Sequence, residues 1–167
     1  MENNVSKEIM DNIYKNIQAD NIQKIVVGAV IDMGENKPLL LKRSCNDFMG
    51  GLVELPSGTV DKTESLEKAL QREVLEETGL KIQKITSFLG TFDYLSGSGK
   101  KTRQVNFKVE VYNKDVKLSH EHEDYYICSP DSFEYQQLNI SNSTKTIIQK
   151  AFYTADKKLY HNNVIDR

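Results

Sequence analysis

The sequence has no tryptophan, three prolines and two cysteines in 167 residues. Cys45 and Cys128 form no CxxC pair and no zinc-ligand spacing. They argue for a reduced, cytoplasmic protein rather than a disulfide scaffold. No apolar run approaches the ~18 residues that a membrane helix needs. The first residues, MENNVSKEIMDNIYKN, lack an apolar stretch and mix acids among their apolar positions, which argues against a signal peptide. Pro38, Pro56 and Pro130 are scattered, so they mark no linker, and neither repeats nor low-complexity tracts occur. An excess of one charge is also missing. With 22 basic and 24 acidic residues the net charge is −2, which excludes the broad positive footprint of a protein that binds nucleic acid polymers. A small-molecule substrate or a protein partner remains.

What is present is a set of dense apolar runs, Ile25–Ile31, Leu39–Leu41 and Val105–Val111, which exclude disorder. The length suits one principal domain. Val5, Ile9, Ile13 and Ile17 recur at steps of four and predict a helix over 5–18. Its stripe packs on the domain or forms a homodimer contact. Strands are predicted at 23–33, 39–42, 52–55, 82–94, 102–112 and 125–128. Turns fall at 34–38 and 96–99, and a polar loop at 118–124. A helix at 64–78 and a closing helix at 143–155 complete the chain. This pattern predicts an α/β sandwich around a mixed β-sheet, with an extra N-terminal helix. The boundaries read as a helical extension at 1–21, the principal domain at 22–157 and a tail at 158–167.

The helix at 64–78 is unusual. Wound at about 100° per residue, Leu66, Ala69 and Leu70 share one side. Glu73 and Glu77 fall close to the Leu66 direction, and Glu76 falls beside Ala69. Three neighbouring carboxylates therefore project toward the buried side, where unpaired charge is costly. Two resolutions are open: a solvated acidic helix end, or a hard divalent cation such as Mg²⁺ or Mn²⁺ held by the carboxylates. Arg72 lies on the flank, where its planar fork can hold a neighbouring carboxylate. Glu64 suits the helix N-terminus, and Gly79 stops the helix.

The stretch GTVDKTESLEKALQREVLEETGL, from Gly58 to Leu80, resembles the signature of the Nudix hydrolase family. The match is complete at Gly58, Glu64, Arg72, Glu73, Val74, Glu76, Glu77, Gly79 and Leu80. Average composition puts a chance match at roughly 10⁻⁷. Upstream, Leu52–Gly58 is similar to the family's strand into this box, with Val53 where tryptophan is common and Ser57 where glycine is common. Glu121-His122-Glu123-Asp124-Tyr125 resembles an acidic loop found before a late strand. The resemblance covers about residues 24–155. It implies a Nudix α/β/α sandwich and hydrolysis of a nucleoside diphosphate linked to another group, with Mg²⁺ or Mn²⁺ as cofactor. It further implies that Glu73, Glu76, Glu77 and the Ser57 carbonyl hold the metal, and that Arg72 orients the carboxylates. Glu121 is implied as the distal base or extra ligand, and Glu54 and Glu64 as supports.

The substrate is less legible. Motifs typical of the NADH, ADP-ribose and coenzyme A branches are absent or do not line up. Elimination leaves a nucleoside triphosphate, ordinary or with an oxidised purine as in the MutT-like branch. Candidate substrate contacts are Arg43, Phe48, Glu54, Arg103, Asn106 and Tyr125. The arginines suit phosphates, the aromatics suit a base face, and Asn106 suits a base edge. Phe92, Tyr94, Phe107 and Tyr126 have suitable chemistry too, but each is more simply read as core or strand-pair filler; Asn142 could read a base edge and Lys42 could hold a phosphate. His120 and His122 read as members of a solvated loop lining the cleft. The alternatives to the hydrolase are a non-catalytic nucleotide sensor of the same fold and an isoprenyl diphosphate isomerase. The isomerase needs a catalytic cysteine in a setting that neither Cys45 nor Cys128 has.

Overall fold

The computed structural model describes residues 1–153. The expected end of the closing helix at 154–155, the last residues of the principal domain and the tail at 158–167 lie outside the described residues. In chain order the elements are β1 (Glu2–Asn3), α1 (Lys7–Ala19), β2 (Lys24–Ile31), β3 (Leu39–Arg43), β4 (Val53–Glu54) and β5 (Ser57–Thr59). There follow α2 (Leu66–Thr78), β6 (Ile82–Leu95), β7 (Lys101–Val111), β8 (His122–Ile127), α3 (Phe133–Gln137) and α4 (Asn142–Phe152).

A mixed five-stranded sheet in the order β1-β6-β7-β2-β5 forms the centre. β2 lies parallel to β7 and antiparallel to β5. Successive side chains of a strand face opposite sides, so β2 must be apolar throughout to be buried on both. Val27, Ala29 and Ile31 pack with α1 and α2, while Val30 packs with α4. The expected sandwich is therefore observed. Beside the central sheet, β3, β4 and β8 form a second, antiparallel sheet in the order β4-β3-β8. The turn after β2 does not close a hairpin, and one isolated bridge, Asp32 to Pro38, links its sides.

The N-terminal helix starts where Ser6 accepts the amide of Ile9 at 3.3 Å. Its buried stripe is Met10, Ile13 and Ile17, at steps of three and four, while Ile9 is 40% exposed. A stripe at strict steps of four drifts off the buried face because an α-helix turns in 3.6 residues. The observed stripe belongs to the same core cluster as Leu66, Leu70 and Val74 of α2. Tyr14 Oη accepts the Leu66 amide at 3.1 Å, and β1 adds two residues to the sheet edge beside Lys84 and Ile85. Among the described residues no helix is long and apolar enough to cross a membrane.

Arg103 ties the end of α1 to the β6–β7 hairpin. Its Nε and Nη2 donate to Asp93 at 2.7 and 2.8 Å, and Nη2 lies 2.8 Å from Asp20. Replacing Arg103 by Met is expected to remove about 1 kcal/mol of stability, or roughly 3 °C in Tm. Arg103 holds the Asp93 carboxyl below its ordinary value, so the ionised pair stabilises the fold above about pH 4. The difference between wild type and variant should shrink as pH falls below that value. Thermal melts across pH 3–7 check this, and an unchanged difference at pH 3 would count against the ion pair as its cause.

Candidate active site

The site begins with the glycine that follows Ser57. A Cβ at Gly58 would overlap the carboxylate of Glu73, so β5 and α2 approach as closely as they do only with glycine there. In the register of β5 on β2, Ala29 N donates to Pro56 O and Val60 N to Ile25 O. Ser57 and Thr59 then occupy the alternate positions, with their peptide groups turned away from β2. Ser57 N donates to Glu77 at 2.8 Å, and Thr59 O accepts from Arg72 at 2.9 Å. The antiparallel ladder thus hands two main-chain groups to the acidic helix.

Ser65 caps α2 by accepting the Lys68 amide, and Gly79 ends it at φ 70° in the left-handed region. Between these caps Arg72 gathers the acids. Its Nε and Nη2 donate to the two oxygens of Glu64 at 3.0 and 2.8 Å. Nη1 donates to Glu73 at 2.6 Å and to Glu76 at 3.3 Å. Arg72 thus contacts Glu64, Glu73 and Glu76 together, with Glu64 as its bidentate partner.

The three glutamates of the helix differ in setting. Glu77 is 6% exposed, and burial pushes its carboxyl up to about 9, opposed by the single Ser57 amide. Glu73 is pushed up more modestly by burial, with Arg72 acting against it. Glu76 has 58% of its side chain exposed, at the rim. The expectation that all three face the buried side is corrected for Glu76, which sits about 80° off the Leu66 direction and reaches open water. Among the described residues no three acidic, histidine or cysteine groups converge as a closed metal cage. Arg72 engages Glu73 and Glu76, while Ser57 engages Glu77.

These groups line an open cleft of about 590 Å³ that also takes in Arg43, Asp61, Ser119 and Glu121. Glu121 is exposed on the loop before β8, across from α2. His122 is not part of a solvated loop: it is 7% exposed, because it opens β8 rather than preceding it. Its Nε2 lies 3.8 Å from Glu54 and 3.9 Å from Glu77.

A second cavity, of about 330 Å³, opens on the far side of Arg43. Phe48, Glu54, Phe92, Tyr94 and Gln104 contribute to its wall. Arg43 donates to Glu54 at 2.6 Å and to Phe48 O at 3.1 Å, so it is fixed where the two spaces meet. Arg43, Phe48 and Glu54 thus border this cavity. Three other candidates do not. Arg103 spends its guanidinium on Asp93 and Asp20, on the α1 side of β7. Asn106 is fully buried, and its amide is consumed within the protein. Tyr125 lines neither cavity.

Sequence reasoning misses Gln104, which shares one face of β7 with Thr102 and Asn106. Three polar residues at steps of two inside a buried strand are the available signal. It also misses Asp61 and Ser119, for which no local pattern exists.

A NUDIX domain family model matches residues 23–151. An ADP-ribose pyrophosphatase of Methanocaldococcus jannaschii is 44% identical over 68 residues, 41% of this chain and 38% of that protein. The chain therefore spans well under half the length of that curated relative. The structure of a MutT protein from Methanosarcina mazei Go1 superposes with a TM-score of 0.67 at 30% identity, covering 76% of this chain and 91% of that one. The NUDIX domain of Shewanella oneidensis NrtR, solved with ADP ribose, shares the fold at 24% identity and TM-score 0.63, over 80% and 89% of the two chains. The acid-bearing helix, the arginine that gathers its carboxylates and the glycine that lets them reach the neighbouring strand agree with these likenesses: the chain belongs to the NUDIX hydrolase family.

Proposed function

We propose that the protein is a divalent-metal-dependent pyrophosphohydrolase acting on a nucleoside diphosphate linked to a second group. The first candidate is a nucleoside triphosphate, cleaved by water to nucleoside monophosphate and pyrophosphate. The observation that carries this reading is the junction at Arg43, which borders both the acidic cleft and the aromatic cavity. A diphosphate and a flat base can occupy the two spaces at once, with one fixed cation between them.

The cleft wall carries five acids, Asp61, Glu73, Glu76, Glu77 and Glu121, against two arginines, so by itself it repels a polyanion. Apart from His120 at the exposed edge, its donors are oxygens, which suit a hard cation that keeps waters and shares phosphate ligands. Mg²⁺ or Mn²⁺ held by Glu73, Glu76, Glu77 and the Ser57 carbonyl would neutralise the diphosphate and acidify a water. The protein's own groups do the rest. Arg72 keeps Glu73 and Glu76 from collapsing onto other donors. Glu121, exposed at the cleft, accepts the proton of the attacking water, with Glu73 as the other carboxylate in reach of that role. Arg43 grips a phosphate oxygen beside the base cavity.

ADP-ribose is a second reading, favoured by the activity for which the Methanocaldococcus relative is named. It would give AMP and ribose 5-phosphate from the same cleft. A non-catalytic sensor is disfavoured, because the full carboxylate set and its arginine are present.

Mass spectrometry of products from a panel of triphosphates, ADP-ribose and dinucleoside polyphosphates, with Mg²⁺, separates these readings. Glu77→Gln is expected to lower kcat/KM by about 10²-fold or more. Full turnover in EDTA, or in Glu77→Gln, would overturn the mechanism.

A second test reads stability. The folded chain holds a proton on Glu77 up to about pH 9, whereas an unfolded glutamate releases it near pH 4. Metal-free stability should therefore fall as pH rises through that window. Glu77→Gln should raise the metal-free Tm at pH 8 by roughly 3 °C or more and abolish the rise that Mg²⁺ gives the wild type. A lower Tm in the variant would mean that the buried charge is already compensated.

A further inference from the structure

The base cavity contains a carboxamide whose polarity is set by its surroundings. Gln104 and Asn106 lie on the α4 side of β7, and Gly28 of β2 is the register partner of Asn106. A Cβ at Gly28 would come within 2.5 Å of Asn106 Oδ1 and 2.7 Å of Gln104 Nε2. Glycine in the middle of a buried strand is costly, and here the missing side chain is the space that the two amides fill.

The direction of each bond follows from the main chain. Asn106 Nδ2 donates to Gly90 O and Gln104 O, both at 3.3 Å. A peptide carbonyl can only accept, so the Asn106 NH₂ must face these two oxygens. Its Oδ1 is thereby turned toward Gln104, where it can only accept. Gln104 Nε2 supplies the donor at 2.8 Å. That leaves Gln104 Oε1 as an acceptor with no hydrogen-bond donor among the described residues, although Gln104 is only 8% exposed. This oxygen keeps some exposure, and Gln104 lines the cavity. One Nε2 proton also remains beyond the bond to Asn106.

We propose that Gln104 is the base-reading residue of the pocket, with Asn106 as its positioning residue and Gly28 as the space that admits the pair, and that it selects bases carrying an amino group where hypoxanthine and uracil carry an oxygen, adenine or cytosine rather than guanine. An amino group beside a ring nitrogen offers a donor and an acceptor in the order that the carboxamide complements, as in glutamine contacts to adenine. Hypoxanthine and uracil place an oxygen where adenine and cytosine place the amino group, and that oxygen would meet Oε1 acceptor to acceptor. A buried site built to accept a hydrogen bond discriminates strongly against the isostere that lacks the donor. The inference rests on the cavity being a nucleotide site, and it narrows that reading to adenine or cytosine.

Calorimetric binding of AMP against IMP, and of CMP against UMP, tests it without requiring turnover. At least a tenfold preference for the amino member of one pair is expected, and which pair shows it distinguishes purine from pyrimidine. The kcat/KM ratios for ATP over ITP and CTP over UTP should show the same preference. In Gln104→Leu the ratio should fall toward one, through a higher KM for the amino substrate rather than a lower kcat. In Asn106→Leu, which frees Gln104 to turn over, the ratio should also fall, with circular dichroism and thermal melts confirming the fold. Equal binding and equal turnover within both pairs would overturn the inference while leaving the hydrolase reading intact. A preference that survives in Gln104→Leu would overturn it as well. Absence of all turnover would instead count against the hydrolase reading, and the binding preference would still decide the role of Gln104.

Discussion

Like charges crowded on the inward side of a helix are the constraint around which this protein is built. Glu73 and Glu77 are drawn into a region where a lone carboxylate is unfavourable, and Glu76 joins them at the rim. One guanidinium, that of Arg72, spans Glu64, Glu73, Glu76 and the Thr59 carbonyl. One main-chain amide, that of Ser57, meets Glu77. Neither is enough to cancel the charge, and burial shows its effect in the raised Glu77 carboxyl. A fold that keeps such an arrangement has a use for negative charge at that place, and the recruitment of a hard cation is the simplest use that oxygen donors serve.

The surrounding architecture turns this local problem into a placed site. The caps at Ser65 and Gly79 set the length of α2, and its apolar side, Leu66, Ala69, Leu70 and Val74, docks it on the central sheet. The two-residue-period register of β5 then aims peptide groups outward at the helix rather than inward at β2. Two glycines allow the close approaches on which the arrangement depends. Gly58 admits the Glu73 carboxylate, and Gly28 admits the amides of Gln104 and Asn106 on the other face. The second sheet supplies Arg43 and Glu54, whose ion pair stands at the boundary between the charged cleft and the aromatic cavity. The acidic cleft and the aromatic cavity thus draw on different layers of the fold.

Much of this is legible in the amino-acid sequence, because the decisive features are local. The helix at 64–78, its caps, the placement of Arg72 among glutamates and the role of Gly79 all follow from spacing within some twenty residues. The long hairpin of β6 and β7 follows from alternation and from the turn at 96–99. Sequence reasoning fails where the deciding contact is distant along the chain. Arg103 reads as a phosphate ligand inside a strand, but Asp20 and Asp93 reach it first. Asn106 reads as a polar group facing a base, but Gly28 and Gly90 draw it into the sheet and leave Gln104 at the surface of the cavity. His122 reads as a loop residue because nothing nearby in sequence indicates that β3 continues its pairing that far.

The sequence by itself determined the acidic helix, its arginine and the chemistry they imply, since a helix brings residues three and four apart together whatever surrounds it. Only the tertiary structure decided which carboxylate is buried, which arginine stands at the junction of two cavities and which carboxamide residue borders the aromatic cavity. Those outcomes depend on strand register and on the absence of a Cβ at two glycines, where main chains far apart in sequence come within hydrogen-bonding distance.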